Sequence, residues 1–324
     1  MTIDSHTDHA HGNHSDRPDP VLTPLSRPQA TLLVQLGLDT ATRLGLDLTY
    51  EGGAALVPVG SSATGPVLGL SNLARILARY DETQWPTLID THFTQLLAQL
   101  RHGPPTPPAH PEHDLIQRLV PRDALPADWT ADRPDFVPGV LSVSSAVEDD
   151  VVTMYLEPSD LGLTWSAAES IGLTNLRGLT DQVEWVEHDD IRIAFVTGTA
   201  FAASRALVLD TVLRETLQLE TPPLHGVLAA FPVRDVLMIH VIRDLSVIPA
   251  LGLLLNLAAR SYSHDPGPLS PDVHLVTPDF TWHPATTTSP DHGPLRLSPY
   301  LESLTKHLAT REVARPVGGS DSGD

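Results

Sequence analysis

Residues 226–242 read Gly-Val-Leu-Ala-Ala-Phe-Pro-Val-Arg-Asp-Val-Leu-Met-Ile-His-Val-Ile. Two nearly continuous apolar runs, Val227 to Phe231 and Val236 to Ile242, are separated by a break containing Pro232, Arg234 and Asp235. Proline presets the backbone for a tight turn and aspartate can close one through its own side chain, so the stretch is predicted to be a β-hairpin. Strands joined this closely are antiparallel, because parallel neighbours need a crossover of about a dozen residues. Alternation puts His240 on the face of Val236, Met238 and Ile242, which predicts a core histidine bonded to a backbone carbonyl rather than a general base.

Working outward, the same syntax recurs. Val183 to Val186 and Ile191 to Val196 form a second strand pair, followed by a predicted helix with Ala206, Leu209, Leu213 and Leu217 on one face. Phe136 to Val143 and Val151 to Glu157 form another, followed by a helix from Ser166 to Leu179 whose Ser166 and Glu169 match a capping box. After the quoted hairpin, Leu245 to Ala259 reads as a buried helix; its 15 residues fall short of the roughly 20 needed to span a bilayer. Successive hairpin-plus-helix units define an α+β class, with helices expected on one face of a mixed or antiparallel sheet. No fixed repeat period suggests a solenoid or propeller.

Upstream, residues 28–102 read as a small α+β module. An apolar segment runs from Leu32 to Leu44, and strands Leu46 to Tyr50 and Ala54 to Val59 flank Glu51-Gly52-Gly53 as a hairpin. A helix capped by Ser71 is expected through Tyr80, and another from about Pro86 to Leu100. Five prolines within Gly103 to Pro111 mark a linker over 103–112, which separates the module from a domain over 113–310. Residues 1–27 and 311–324 have little to bury and are expected to be disordered tails.

Composition excludes much chemistry. The 324 residues carry 40 acidic and 20 basic side chains, a net charge of -20, and no cysteine. Thiolate nucleophiles, thiolate zinc sites and redox dithiols are therefore absent. The single lysine, Lys306, lies between Thr305 and His307, outside any P-loop pattern, in a polar helix-like stretch. The other 19 basic residues are arginines without a dense cluster, so nucleic acid is not an expected partner. With no membrane span and no apolar leader, a cytoplasmic protein without cofactor is expected.

Five residues stand out as candidates. Asn175 lies at helical spacing from Ile171 and Leu179, so its amide either orients a ligand or bonds a neighbouring strand's backbone. Ser204 and Arg205 follow the Thr197-Gly198-Thr199 break and open a predicted helix, where an arginine can complete an anion site or pair with a nearby acid. Arg234 and Asp235 either lock the quoted hairpin or join Arg205 at one sheet end. A Ser204, His240 and Asp235 triad lacks a nucleophile elbow, and alternation puts Asp235 and His240 on opposite faces. His6, His9, His11 and His14 could hold a metal weakly in the tail; none is expected in the folded domain.

Asn175-Leu-Arg177, Phe201-Ala-Ala-Ser-Arg205 and Gly226 to Ile239, in this order and spacing, resemble landmarks of the YtpQ-like bacterial proteins, a family catalogued as domain of unknown function 1444. The resemblance covers about Val151 to Pro284 and leaves out the His-rich tail, the polyproline linker and the longer C-terminal segment. It implies an α+β fold in the bacterial cytosol and no established reaction. The resulting expectation is a non-catalytic binding or interaction protein for a protein or a small anionic ligand. The alternatives are a hydrolase or transferase built on Asn175, Arg205, Arg234 and Asp235, and weak metal handling by the tail. Convergence of those four side chains in one pocket would favour the enzyme; separate satisfaction by local backbone would count against it.

Overall fold

The computed structural model describes residues 17–60, 66–101, 107–148, 151–157, 161–287 and 295–313. His6, His9, His11 and His14, residues 103–106 and residues 314–324 lie outside them. Chain contacts gather into two compact units, 1–104 and 105–324.

In the first unit, helix α1 (Arg27–Arg43) is set by a capping box: the Ser26 side chain accepts from Gln29 N–H while Gln29 Oε1 accepts from Ser26 N–H at 3.0 Å. Strands β1 (Leu48–Tyr50) and β2 (Ala55–Pro58) form the expected antiparallel hairpin, and β3 (Leu68–Gly69) extends it. Helices α2 (Ser71–Leu77) and α3 (Trp85–Arg101) complete the unit, with Leu33, Leu56, Leu73, Trp85 and Phe93 in its core. Two expectations are corrected. Residues 17–27 belong to the fold, because Leu22 and Leu25 are buried in the same core. The cap position of α2 is Leu70, without a side-chain bond, and Ser71 is already helical.

The second unit begins with α4 (Pro111–Asp114), β4 (Leu115–Pro121), α5 (Ala127–Thr130), β5 (Val140–Glu148) and β6 (Val151–Tyr155); the strands form a sheet in the order β4-β5-β6. Helix α6 (Trp165–Arg177) packs on β4, and its close approach is fixed at Gly172, where a Cβ would lie 2.9 Å from Gln117 N. The capping box at Ser166 does not form: Thr164 is the cap, and its Oγ1 accepts from Ala167 N–H at 3.2 Å.

Strands β7 (Gln182–His188), β8 (Ile191–Thr197), β9 (Val227–Ala230) and β10 (Leu237–Val241), followed by α8 (Val247–His264), bear out the remaining hairpins and the buried helix. Beyond them lie β11 (Val273–Val276), β12 (Trp282–Pro284), the short pair β13 (Thr286–Thr287) and β14 (Arg296–Leu297), and α9 (Pro299–Val313), which also takes residues 311–313 out of the expected tail. The sheet runs β12-β11-β9-β10-β8-β7, with every neighbour antiparallel. It is covered on both faces rather than one. Leu228, Ala230, Met238 and Leu275 face α8 and α9, while Ala229, Phe231, Leu237 and Ile239 face the segment 203–217. That segment is not one helix: it runs 3₁₀ over Ala203–Val208, a single turn α7 (Leu209–Thr211) and a π turn over Val212–Thr216. The expected residues Ala206, Leu209, Leu213 and Leu217 are nonetheless buried together.

Candidate functional site

Edge strand β4 turns its Leu119 N–H outward, and the Ser204 hydroxyl accepts it at 3.0 Å. One residue earlier, Ala203 N–H donates to Arg234 O at 3.2 Å, and Arg234 N–H donates to Gly267 O at 2.9 Å. Leu269 N–H closes the lattice on Pro232 O at 2.8 Å. These bonds stitch together β4, the start of the 3₁₀ segment, the β9–β10 turn and the loop after α8. The junction brings Arg118 of β4 and Arg234 of the turn close enough for their charges to oppose one another.

Arg118 is half-buried, and its Nε is sealed from solvent without a hydrogen-bond acceptor. Desolvation chiefly, and then the Arg234 charge, hold its pKa below the ordinary guanidinium value. Arg234 lays its stem on Gly267, where a Cβ would come 2.7 Å from Arg234 Cδ; the positive φ of +71° there also favours glycine. Among the described residues, neither arginine has a carboxylate within ion-pair distance.

The five sequence candidates separate under this geometry. Asn175 Nδ2 donates to Glu112 O at 3.0 Å and Leu115 O at 2.9 Å, which is the backbone-bonding role. Ser204 is committed to Leu119. Arg205 is buried, and its Nε and Nη2 reach Asp181 Oδ2 at 2.9 and 2.8 Å while Nη1 donates to Leu176 O at 2.5 Å. Thr216 Oγ1 donates to the same Asp181 oxygen at 2.8 Å, so Arg205 is held in a buried ion pair rather than presented to a ligand. Asp235 is exposed and does not close the turn; Val236 N–H bonds Val233 O at 3.2 Å instead. His240 is buried with Nδ1 3.0 Å from Arg192 O, the expected core role, and shares no bond with Ser204 or Asp235.

Only Arg234 of the five keeps an uncommitted guanidinium, and its companion Arg118 was missed. The available signal was alternation: Ile116, Arg118 and Val120 share one face of β4, and an arginine between two apolar residues on a covered face calls for a counter-charge. The junction offers donors and positive charge, with no activated nucleophile and no acid–base pair, so its chemistry is that of holding an anion. Among the described residues, no group of three His, Asp or Glu side chains is placed to hold a metal ion, and no helix is long and apolar enough to cross a membrane. The chain matches no family model, no curated protein and no solved structure.

Proposed function

We propose that the protein is a non-catalytic, cytoplasmic binding protein for a small anionic ligand, received by Arg118 and Arg234. One observation carries this reading: the buried, acceptor-less Nε of Arg118 near a second arginine, with no carboxylate in ion-pair distance of either among the described residues. Leaving a buried donor unsatisfied costs about 1–3 kcal/mol, and opposing a like charge adds to that. A phosphate or carboxylate bridging the two guanidinium groups offsets their like charges. Burial of the Nε favours a small ligand over a protein surface. A hydrolase or transferase has less support, because Asn175 and Arg205 are engaged elsewhere. Membership of the YtpQ-like family remains a proposal from the ordered landmarks and implies no reaction, so binding does not depend on it.

Calorimetric titration with inorganic phosphate and with succinate tests the reading, using wild type, Arg118→Met, Arg234→Met and the double variant. At least one anion is expected to bind wild type, with about tenfold weaker binding for each single variant and none for the double. Anion binding unchanged in a folded double variant, or none to wild type at millimolar concentration, would overturn it.

A further inference from the structure

On the far side of the large sheet from the 203–217 segment, α9 borders a cleft of about 550 Å³, within the size range of small-molecule sites. Its apolar surface comes from Leu275, Leu304, Pro278 and Pro299, and its rim carries Tyr300 and Leu224, which are 58% and 72% exposed. Side chains this apolar and this exposed, gathered at one concavity, mark a place where something is covered. Tyr300 is held in place by stacking on His283, with ring centroids 3.8 Å apart.

The polar part of the same cleft is built around two imidazoles. His225 and His307 face each other with ring centroids 6.1 Å apart, and Arg311, one helical turn beyond His307, is near enough to His225 to oppose its protonation. Among the described residues, none that lines the cleft is acidic, in a chain with twice as many acids as bases. The closest acids in sequence are engaged: Asp279 accepts from Thr277 Oγ1 and Thr281 Oγ1 at 2.5 and 3.1 Å, and Glu302 accepts from Lys306 Nζ at 2.7 Å along another strip of α9.

We propose that this cleft is a second binding site, for a small hydrophobic acid. The apolar body lies against Leu275, Leu304 and Tyr300, and the anionic head sits among His225, His307 and Arg311. The ligand differs in class from the compact anion of the Arg118 junction, because here most of the contact surface is apolar and the charges stand only at the rim.

The test uses the full-length protein and 4-phenylbutyrate, with 4-phenylbutanol as the uncharged counterpart, measured by calorimetry at pH 6.5. The acid is expected to bind at least tenfold more tightly than the alcohol. His225→Gln with His307→Gln should lower affinity for the acid about tenfold and leave the alcohol unchanged. Leu304→Asp should abolish binding of the acid, and Arg118→Met with Arg234→Met should leave it intact. His307 is exposed, so its replacement does not threaten the fold. Equal affinity for acid and alcohol, wild-type binding by the double histidine variant, or no binding of the acid at millimolar concentration would each overturn the proposal.

Discussion

Two arginines of this protein, Arg205 buried and Arg118 half-buried, serve different ends, and substitution should separate them by the sign of its effect on stability. Arg205 shares Asp181 with Thr216 and also donates to Leu176 O, so its charge is compensated in place. Removing one partner of a buried pair strands the other, at about 3–5 kcal/mol. Asp181→Ala should therefore lower the unfolding free energy of the second unit by that much, read as a fall in its urea midpoint. Arg118 has no such partner among the described residues, and the Arg234 charge opposes its own. Arg118→Met keeps much of the volume and removes an uncompensated charge, so the ligand-free protein should gain about 0.5–2 kcal/mol while its affinity for phosphate or succinate falls about tenfold. Destabilisation by Arg118→Met as large as that of Asp181→Ala would mean that Arg118 serves packing alone.

Among the elements, the hairpins were legible because their signal is local: apolar runs separated by a few turn-forming residues specify antiparallel pairing without reference to the rest of the chain. Which sheet a hairpin joins is not local, and β5–β6 went to β4 while β7–β8 joined β9–β10. Strand β4 itself was missed because both of its faces carry apolar residues, Leu119 on one and Ile116 and Val120 on the other, so the shared face of Ile116, Arg118 and Val120 is not set off by a polar one. The candidate site shared this difficulty. Arg234 could be picked out at a turn, whereas Arg118 acquires meaning only when Ser204 brings the edge strand to that turn. Helix starts were ambiguous for a different reason, since Ser, Thr, Asp and Asn all cap. The cap of α6 is Thr164 and not Ser166, which predicts that Thr164→Ala costs about 1 kcal/mol while Ser166→Ala changes stability by less than about 0.5 kcal/mol. Chemical denaturation of the two variants decides it; the reverse order would restore the capping box at Ser166.

For the whole molecule, a net charge of -20 and 16 histidines make two opposite claims about acid. Protonating exposed histidines lowers the net charge and relieves general repulsion, which favours the folded state as pH falls. His274 works against this. It is 2% exposed in β11, stacked on Phe231 with centroids 5.7 Å apart and edge-on to Trp282, and its Nδ1 has no partner among the described residues. Burial pulls its pKa down to about 4, with Asp272 opposing the shift only in part. Between the ordinary value of 6.5 and about 4, the unfolded chain holds a proton here that the folded protein excludes, so stability is complete above pH 6.5 and falls as pH drops through that window. The loss is on the order of 3 kcal/mol by pH 4. His240 shifts in the same direction, again chiefly through burial. A single buried imidazole on this scale outweighs several exposed ones, each worth a few tenths of a kcal/mol in screened solution. The second unit should therefore unfold at lower urea at pH 5 than at pH 7, and His274→Phe, which keeps the ring stack, should remove most of that difference. An unchanged pH dependence in a folded His274→Phe variant would assign the acid sensitivity to surface charge instead.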